Sequence, residues 1–257
     1  MGTRVIALLT DFGTADPFVG QVKGVLLSRA PRCIPVDLTH EIPFADITAA
    51  AFLLKASLPY FPKGTVFYAV VDPGTGSDQK ALALEAGGLR FVGPDNGLFP
   101  AALEGCGTVR HAVSIENPKL RLQLFSPTFH GRDLFAPAAA ALATGRPLKF
   151  LGPKVKSLRG GRLPAPKKFR DGWVGAVLWV DRYGNLITNI PSSRLRPASV
   201  VSVGRWKING ISNHYAQGKP GQALALAGAF GNLEISVVLG KADQRLGAKI
   251  GAAVFVR

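Results

Sequence analysis

Residues 64–80 read GTVFYAVVDPGTGSDQK. An apolar run ends at a single carboxylate, Asp72, and the chain then turns through Pro73-Gly74-Thr75-Gly76 to leave Gln79 and Lys80 at the exit. A short apolar run bounded by turn residues has the pattern of a buried strand. Working outward, RVIALLT (4–10), which turns at Asp11-Phe12-Gly13, and CIPVDLT (33–39) repeat that pattern. Between and after them, PFVGQVKGVLLSRA (17–30) carries apolar positions at helical spacing, and DITAAAFLLKASLPYF (46–61) predicts a helix that ends before Pro62. ALALEAGGLRFVGPDNGLF (81–99) predicts a hairpin turning at Gly87-Gly88. GRDLFAPAAAALATG (131–145) predicts a helix with Gly145 as its stop. Strands alternating with helices predict an α/β N-terminal domain with a largely parallel sheet over residues 1–150.

The pattern then changes. Residues 149–170, KFLGPKVKSLRGGRLPAPKKFR, hold eight Lys and Arg among Pro and Gly, and residues 151–172 are expected to form a solvated basic linker. Beyond it, WVGAVLWVD, VVSVGRWKI, ALALAG, LEISVVLG and AAVFVR are short strands separated by Gly, Asn and Pro. Only KADQRLGA interrupts them with a short helical pattern, so residues 173–257 predict an all-β barrel domain.

A chain of 257 residues with 47% hydrophobic and 18% charged residues is long enough and apolar enough to bury a sizeable core. Its apolar stretches are interrupted too early to span a membrane. The N-terminus runs straight into a strand pattern without a small-residue cleavage site, so the expected compartment is the cytoplasm. Cys33 and Cys106 have neither metal-ligand nor disulfide-framework spacing and are expected to be buried small hydrophobes. His40, His111 and His214 form no HxH or HExxH pattern, so no metal is expected. The net charge of +15 favours polyanions, but much of it lies in the linker with few aromatic residues, and no nucleic-acid partner is expected.

Open α/β sheets bind ligands at the carboxyl ends of their strands. Asp11, Asp37 and Asp72 are read at such ends, where an acid either caps a turn or faces a ligand. DPGTGS lacks P-loop spacing, and DFG (11–13) has none of the companion motifs of a kinase. In TFHGRD (128–133), Asp133 reads as a helix N-terminal acid, whereas His130, between Phe129 and Gly131 on a loop, suits a general base or a substrate donor. In VDRYGNLITNI (180–190), Asp181, Tyr183 and Asn185 surround a tight turn, where Asn185 either supplies left-handed geometry or, with Asp181, recognises an amine and a purine edge.

Six ordered segments, LLTDFGTADPFVGQVKGVL, LTHEIPFADITAAAFLL, FPKGTVFYAVVDPGTG, VGPDNGLF, TFHGRDLFAPAAA and VDRYGNLITNI, resemble the S-adenosylmethionine hydroxide adenosyltransferases, relatives of the fluorinase and chlorinase. The resemblance runs from about residue 4 to the C-terminus. It implies a homotrimer that binds S-adenosylmethionine between the N-terminal domain of one subunit and the C-terminal domain of its neighbour. It implies no cofactor: water or hydroxide displaces methionine at the ribose C5′ carbon and adenosine forms. By the same resemblance Asp11 holds the ribose hydroxyls, and Asp72 and His130 belong to a hydroxide-generating trio. Thr75 and Gly76 surround the nucleophile, and Asp181 and Asn185 contact the methionine amine and the adenine. Phe12, Phe129 and Tyr183, beside these residues, are expected to line the substrate site with them.

The chain departs from the family pattern at three places. The trio's third member is an arginine in the family and Gln79 here, followed by Lys80; glutamine holds water but adds no positive charge. Thr75 stands where the family usually has valine. Gly228, Ala229 and Val238 stand where polar ligand-binding residues are usual. These departures keep a non-catalytic S-adenosylmethionine or adenosine binder as the alternative to a hydrolase.

Overall fold

The computed structural model describes residues 4–257. The chain divides into two compact units between Leu163 and Pro164. In the first, strands β1 (Arg4–Thr10), β2 (Cys33–Thr39), β3 (Val66–Val70), β4 (Ala81–Ala86), β5 (Leu89–Pro94) and β6 (Val109–Ser114) form one sheet in the order β2-β1-β3-β5-β4-β6. The pairs β1–β2, β1–β3 and β3–β5 are parallel, and β4 runs antiparallel to both neighbours.

Period-two alternation assigns each strand's side chains to two buried faces. Ile6, Leu8, Val66, Tyr68 and Val70 pack with residues of α1 (Phe18–Arg29) and α4 (Ala136–Ala143). Ala7, Leu9, Phe67, Ala69 and Val71 pack with residues of α2 (Ile47–Ser57) and α3 (Leu98–Leu103). The Asp46 carboxylate accepts the Ala49 N–H at 2.9 Å and starts α2, a cap that contributes about 1 kcal/mol. The α2 segment closes with a single 3₁₀ turn at Leu58–Tyr60, ahead of Pro62. Gly87 and Gly88, at φ 58° and 80°, make the left-handed two-residue turn between β4 and β5.

Two elements had no clear sequence signal. Helix α3 is six residues long with Pro100 in its first turn, where a missing N–H costs little. Strand β6 has an exposed edge stretch, Arg110-His111, that masks its alternation. The basic stretch also differs from the expected 151–172 linker. Leu151 is fully buried, and Val155, Leu158 and Leu163 pack against the first unit's core, so residues 151–163 belong to that unit. Those four apolar side chains are spaced among lysines and glycines, which is why composition concealed them. Cys33 is buried, but Cys106 is exposed, contrary to expectation.

In the second unit the named strands pair antiparallel. It comprises β7 (Lys167–Phe169), β8 (Gly172–Val180), β9 (Leu186–Pro191), β10 (Val200–Val203), β11 (Trp206–Asn209), β12 (Ala223–Ala227), β13 (Asn232–Val237), a short helix α5 (Ala242–Leu246) and β14 (Ala253–Val256). The strand order is β11-β10-β14-β8-β9-β13-β12, with β7 added to β8. Just past β11, the Ser212 N–H donates to the Ala225 carbonyl at 2.8 Å, so the two ends of the path nearly meet. The result is the expected barrel-like sheet, closed around Val177, Leu186, Ile190, Val201, Leu233, Ile235 and Val254. Among the described residues no helix is long and apolar enough to cross a membrane.

Candidate active site

In the first unit the chain leaves β1 for β2 on one side and then adds β3 on the other. The crevice at such a reversal is where open α/β sheets bind ligands. Asp11 follows β1 and Asp72 follows β3, so the two acids flank that crevice. Asp37 does not join them: it lies within β2, paired in register with Leu8.

The β3 exit loop folds back on its own carboxylate. Asp72 Oδ2 accepts from Thr75 Oγ1 at 2.9 Å, and Asp72 Oδ1 accepts from Gln79 Nε2 at 2.7 Å. A Cβ on Gly74 would lie 3.0 Å from Gln79 Oε1, so glycine gives the Gln79 side chain its room. Asn96 anchors the strand end by donating to the Val71 carbonyl at 2.7 Å. Both donors on Asp72 are neutral, so its negative charge is oriented but not offset by a cation, and each oxygen keeps a lone pair for a further donor.

Asp11 is half-buried and accepts the Ala45 N–H at 3.2 Å. Burial pushes its pKa up; the N–H donors of Ala45 and of Asp11 itself oppose this, and the Asp72 charge adds to it. Ala45 presents that N–H from φ 60°, a left-handed conformation that costs a non-glycine residue about 1–2 kcal/mol. Behind the turn, Thr10 Oγ1 lies 2.7 Å from His40 Nδ1, His40 Nε2 lies 3.0 Å from Asp37 Oδ1, and Asp37 Oδ2 accepts from Lys23 Nζ at 2.6 Å. Burial would raise the Asp37 pKa, but the hydrogen bonds from Lys23 and His40 outweigh it and hold the group below the usual carboxylate range. Asp37 and His40 therefore hold the Asp11 turn in place.

The third segment precedes α4. His130 immediately precedes a π-helical turn, Gly131–Phe135, that runs directly into α4. The His130 ring lies against Phe125 with centroids 5.5 Å apart. Phe129 meets Phe12 edge-on at 5.5 Å and Phe18 at 5.1 Å, and the Arg132 guanidinium sits over its ring at 5.2 Å. Asp133 is fully buried and accepts from Arg132 Nε at 2.6 Å, Arg132 Nη2 at 3.0 Å and the Ser126 N–H at 2.7 Å. It thus closes the His130 loop as well as entering the helix. The structure joins the Asp11 and His130 segments through Phe12 and Phe129. It joins the Asp72 and His130 loops where Gly76 packs near the Pro127 carbonyl, 3.5 Å from where a Cβ would sit.

The second unit carries the other residues read from the sequence. Asp181 Oδ1 accepts the N–H groups of Tyr183 and Asn185 at 2.9 Å, and its Oδ2 accepts Asn185 Nδ2 at 2.9 Å. Gly184, at φ 79°, makes the turn between β8 and β9, and Tyr183 is 75% exposed. Asp181 and Asn185 are thus oriented by each other.

Sequence reasoning missed Glu234. It is buried, and its Oε1 accepts from Tyr215 Oη at 2.6 Å and Ser236 Oγ at 2.8 Å. A Cβ on Gly228 would lie 2.6 Å from Glu234 Oε2, which explains glycine at that position. The available signal was an acid within the otherwise apolar strand pattern LEISV. The Glu234 hydrogen bond, then burial and the charges of Glu234 and Asp181, push the Tyr215 pKa up to about 12. Tyr215→Phe leaves Ser236 as the one described donor to this carboxylate. It is expected to lower unfolding free energy by about 1.5–3 kcal/mol in urea denaturation.

Among the described residues no group of three His, Cys, Asp or Glu is placed to hold a metal ion. Residues 6–152 match the family described as the SAM hydroxide adenosyltransferase N-terminal domain, and residues 175–255 match its C-terminal domain. The chain is 41% identical to "(R)-S-adenosyl-L-methionine hydrolase" of Thermus thermophilus over 98% of both chains. It is 39% identical to the protein of the same name in Salinispora tropica, over 97% of this chain and 96% of that one. A crystal structure of an uncharacterized conserved protein from Thermotoga maritima superposes with a TM-score of 0.92 at 33% identity, covering 98% of this chain and 99% of that one. With both domain types matched in order and the likeness running almost end to end, the chain belongs to the SAM hydroxide adenosyltransferase family.

Proposed function

We propose that this protein hydrolyses S-adenosylmethionine to adenosine and L-methionine. The observation that carries this is the nearly full-length likeness to relatives named as that hydrolase. An oxygen of water or hydroxide bonds to the ribose C5′ carbon, the C5′–sulfur bond breaks, and its electron pair leaves with a neutral thioether; where water attacks, the surplus proton passes to solvent. That leaving group needs no general acid and no cofactor. Attack by an anion on a sulfonium cation destroys charge, so a site with little bulk water and in-line positioning accounts for the acceleration.

In this proposal Asp72 accepts a hydrogen bond from the attacking water, with Gln79 and Thr75 fixing the plane of its carboxylate. His130, on the abutting loop, is the second group of the same assembly. Asp11, whose pKa burial pushes up, takes the ribose hydroxyls. Thr75 and Gly76 border the nucleophile, and Phe12 and Phe129 border the ligand. Asp181, Tyr183 and Asn185 bind the methionine and adenine ends. We extend the proposal to a cytoplasmic homotrimer that shares substrate between subunits; light scattering of the purified protein at three times the chain mass of 27.1 kDa checks the assembly.

The test is incubation with S-adenosylmethionine in water and in chloride buffer, followed by chromatography. Adenosine and methionine in equal amounts, unaffected by chloride, are expected; their absence would overturn the hydrolase. A second reading, a non-catalytic binder, is favoured by the uncharged Gln79 amide on Asp72, and calorimetric binding without product would establish it. If the hydrolase holds, Gln79→Arg is expected to raise kcat about tenfold, because a charged donor is roughly twice as strong as a neutral one. Steady-state kinetics checks this.

A further inference from the structure

Tyr68 lies at the centre of β3, fully buried, with its hydroxyl lacking any hydrogen-bond partner among the described residues. Buried polar groups are nearly always paired, and an unpaired phenol carries a desolvation cost that phenylalanine, of the same shape, would not. The position therefore points to a partner in another state of the protein. The hydroxyl is directed at one spot: a Cβ on Gly131 would lie 2.9 Å from it, 2.8 Å from the Phe12 ring tip and 3.0 Å from Phe129. The Gly131 backbone and the Phe12 and Phe129 rings thus meet at the oxygen, and glycine leaves it the room it occupies. Both rings are only half-buried, and Phe129 is backed by Phe18 and Arg132, which are themselves partly exposed.

Two carboxylates act on it. Burial first, then the charge of Asp72, then that of Asp11, raise the Tyr68 pKa well above its ordinary value, so the group stays a protonated donor. A donor on one side and an acid with free lone pairs on the other suit a molecule that both accepts and donates. Water meets that requirement.

We propose that Tyr68 is a positioning residue: when bound substrate parts Phe12 from Phe129, its hydroxyl donates to the oxygen of the attacking water that Asp72 orients. This rests on the hydrolase reading. Phenylalanine at position 68 keeps the packing and removes the donor alone. Tyr68→Phe is expected to lower kcat about tenfold while KM stays within about twofold.

An unchanged kcat with a raised Tm would show an idle hydroxyl and overturn the proposal. A raised KM with unchanged kcat would assign the donor to substrate instead of water and overturn it too. If the wild-type protein gives no product, the hydrolase reading fails by itself, and a crystal structure with adenosine decides this proposal separately. A phenol uncovered and within about 3.2 Å of an ordered water supports it. A phenol still covered by Phe12 and Phe129 refutes it.

Discussion

Replacing Asp72 by asparagine is expected to lower kcat for S-adenosylmethionine hydrolysis by about a hundredfold or more, with KM changed less than about threefold. Asparagine matches the shape of aspartate but not its charge. It also turns one acceptor into a donor that faces Thr75 Oγ1 or Gln79 Nε2, both of which donate to Asp72. The loop then loses a hydrogen bond, and the water loses its anionic acceptor. Asp11 reports the same change, because the Asp72 charge contributes to its raised pKa and the variant moves that pKa down. Steady-state kinetics beside a thermal melt separates lost chemistry from lost structure. A variant within twofold of wild-type kcat would remove Asp72 from the mechanism.

Asp133→Ala is expected to give the largest loss of stability, about 3 kcal/mol, seen as a Tm lower by about 6–12 °C. The substitution leaves the Ser126 N–H without its acceptor and the Arg132 guanidinium without its paired carboxylate. The pH dependence follows from the direction of the shift. Burial pushes the Asp133 pKa up, but the hydrogen bonds from Arg132 and Ser126 outweigh it, and the folded value lies below the usual carboxylate range. Its stabilisation is therefore complete above about pH 4 and is lost as pH falls through the depressed value. Acid titrations followed by circular dichroism should show wild type and variant converging at low pH and differing most near neutrality. Equal stability at pH 7 would mean that Asp133 does not close the His130 loop.

Asp133 also shows where sequence reasoning stops. Its position before an alanine-rich run is enough to read it as a helix acid. The Ser126 N–H that it holds lies seven residues back, across a loop without periodic pattern, and no local rule identifies that partner. Asp37 shows the converse. It looked equivalent to Asp11 and Asp72, but β2 continues past it to Thr39, and Lys23 and His40 take its carboxylate. The basic stretch failed for a related reason: charge density is visible in composition, whereas burial of Leu151, Val155, Leu158 and Leu163 depends on a surface built by distant strands.

By itself the sequence determined the two kinds of unit, the strands that build the first sheet's parallel core, the Gly87-Gly88 turn and the family resemblance. These follow from side-chain periodicity, turn chemistry and short ordered motifs, all local along the chain. Only the tertiary structure decided which donors hold Asp72, that Asp37 and His40 support the Asp11 turn, and that Glu234 is buried against Tyr215 and Ser236. It alone placed the Tyr68 hydroxyl, in sequence one more residue of an apolar strand, beneath Phe12, Phe129 and Gly131. Hydrogen bonds and burial are set by which segments meet, and residues 63 positions apart, such as Tyr68 and Gly131, are joined by packing that no local pattern encodes.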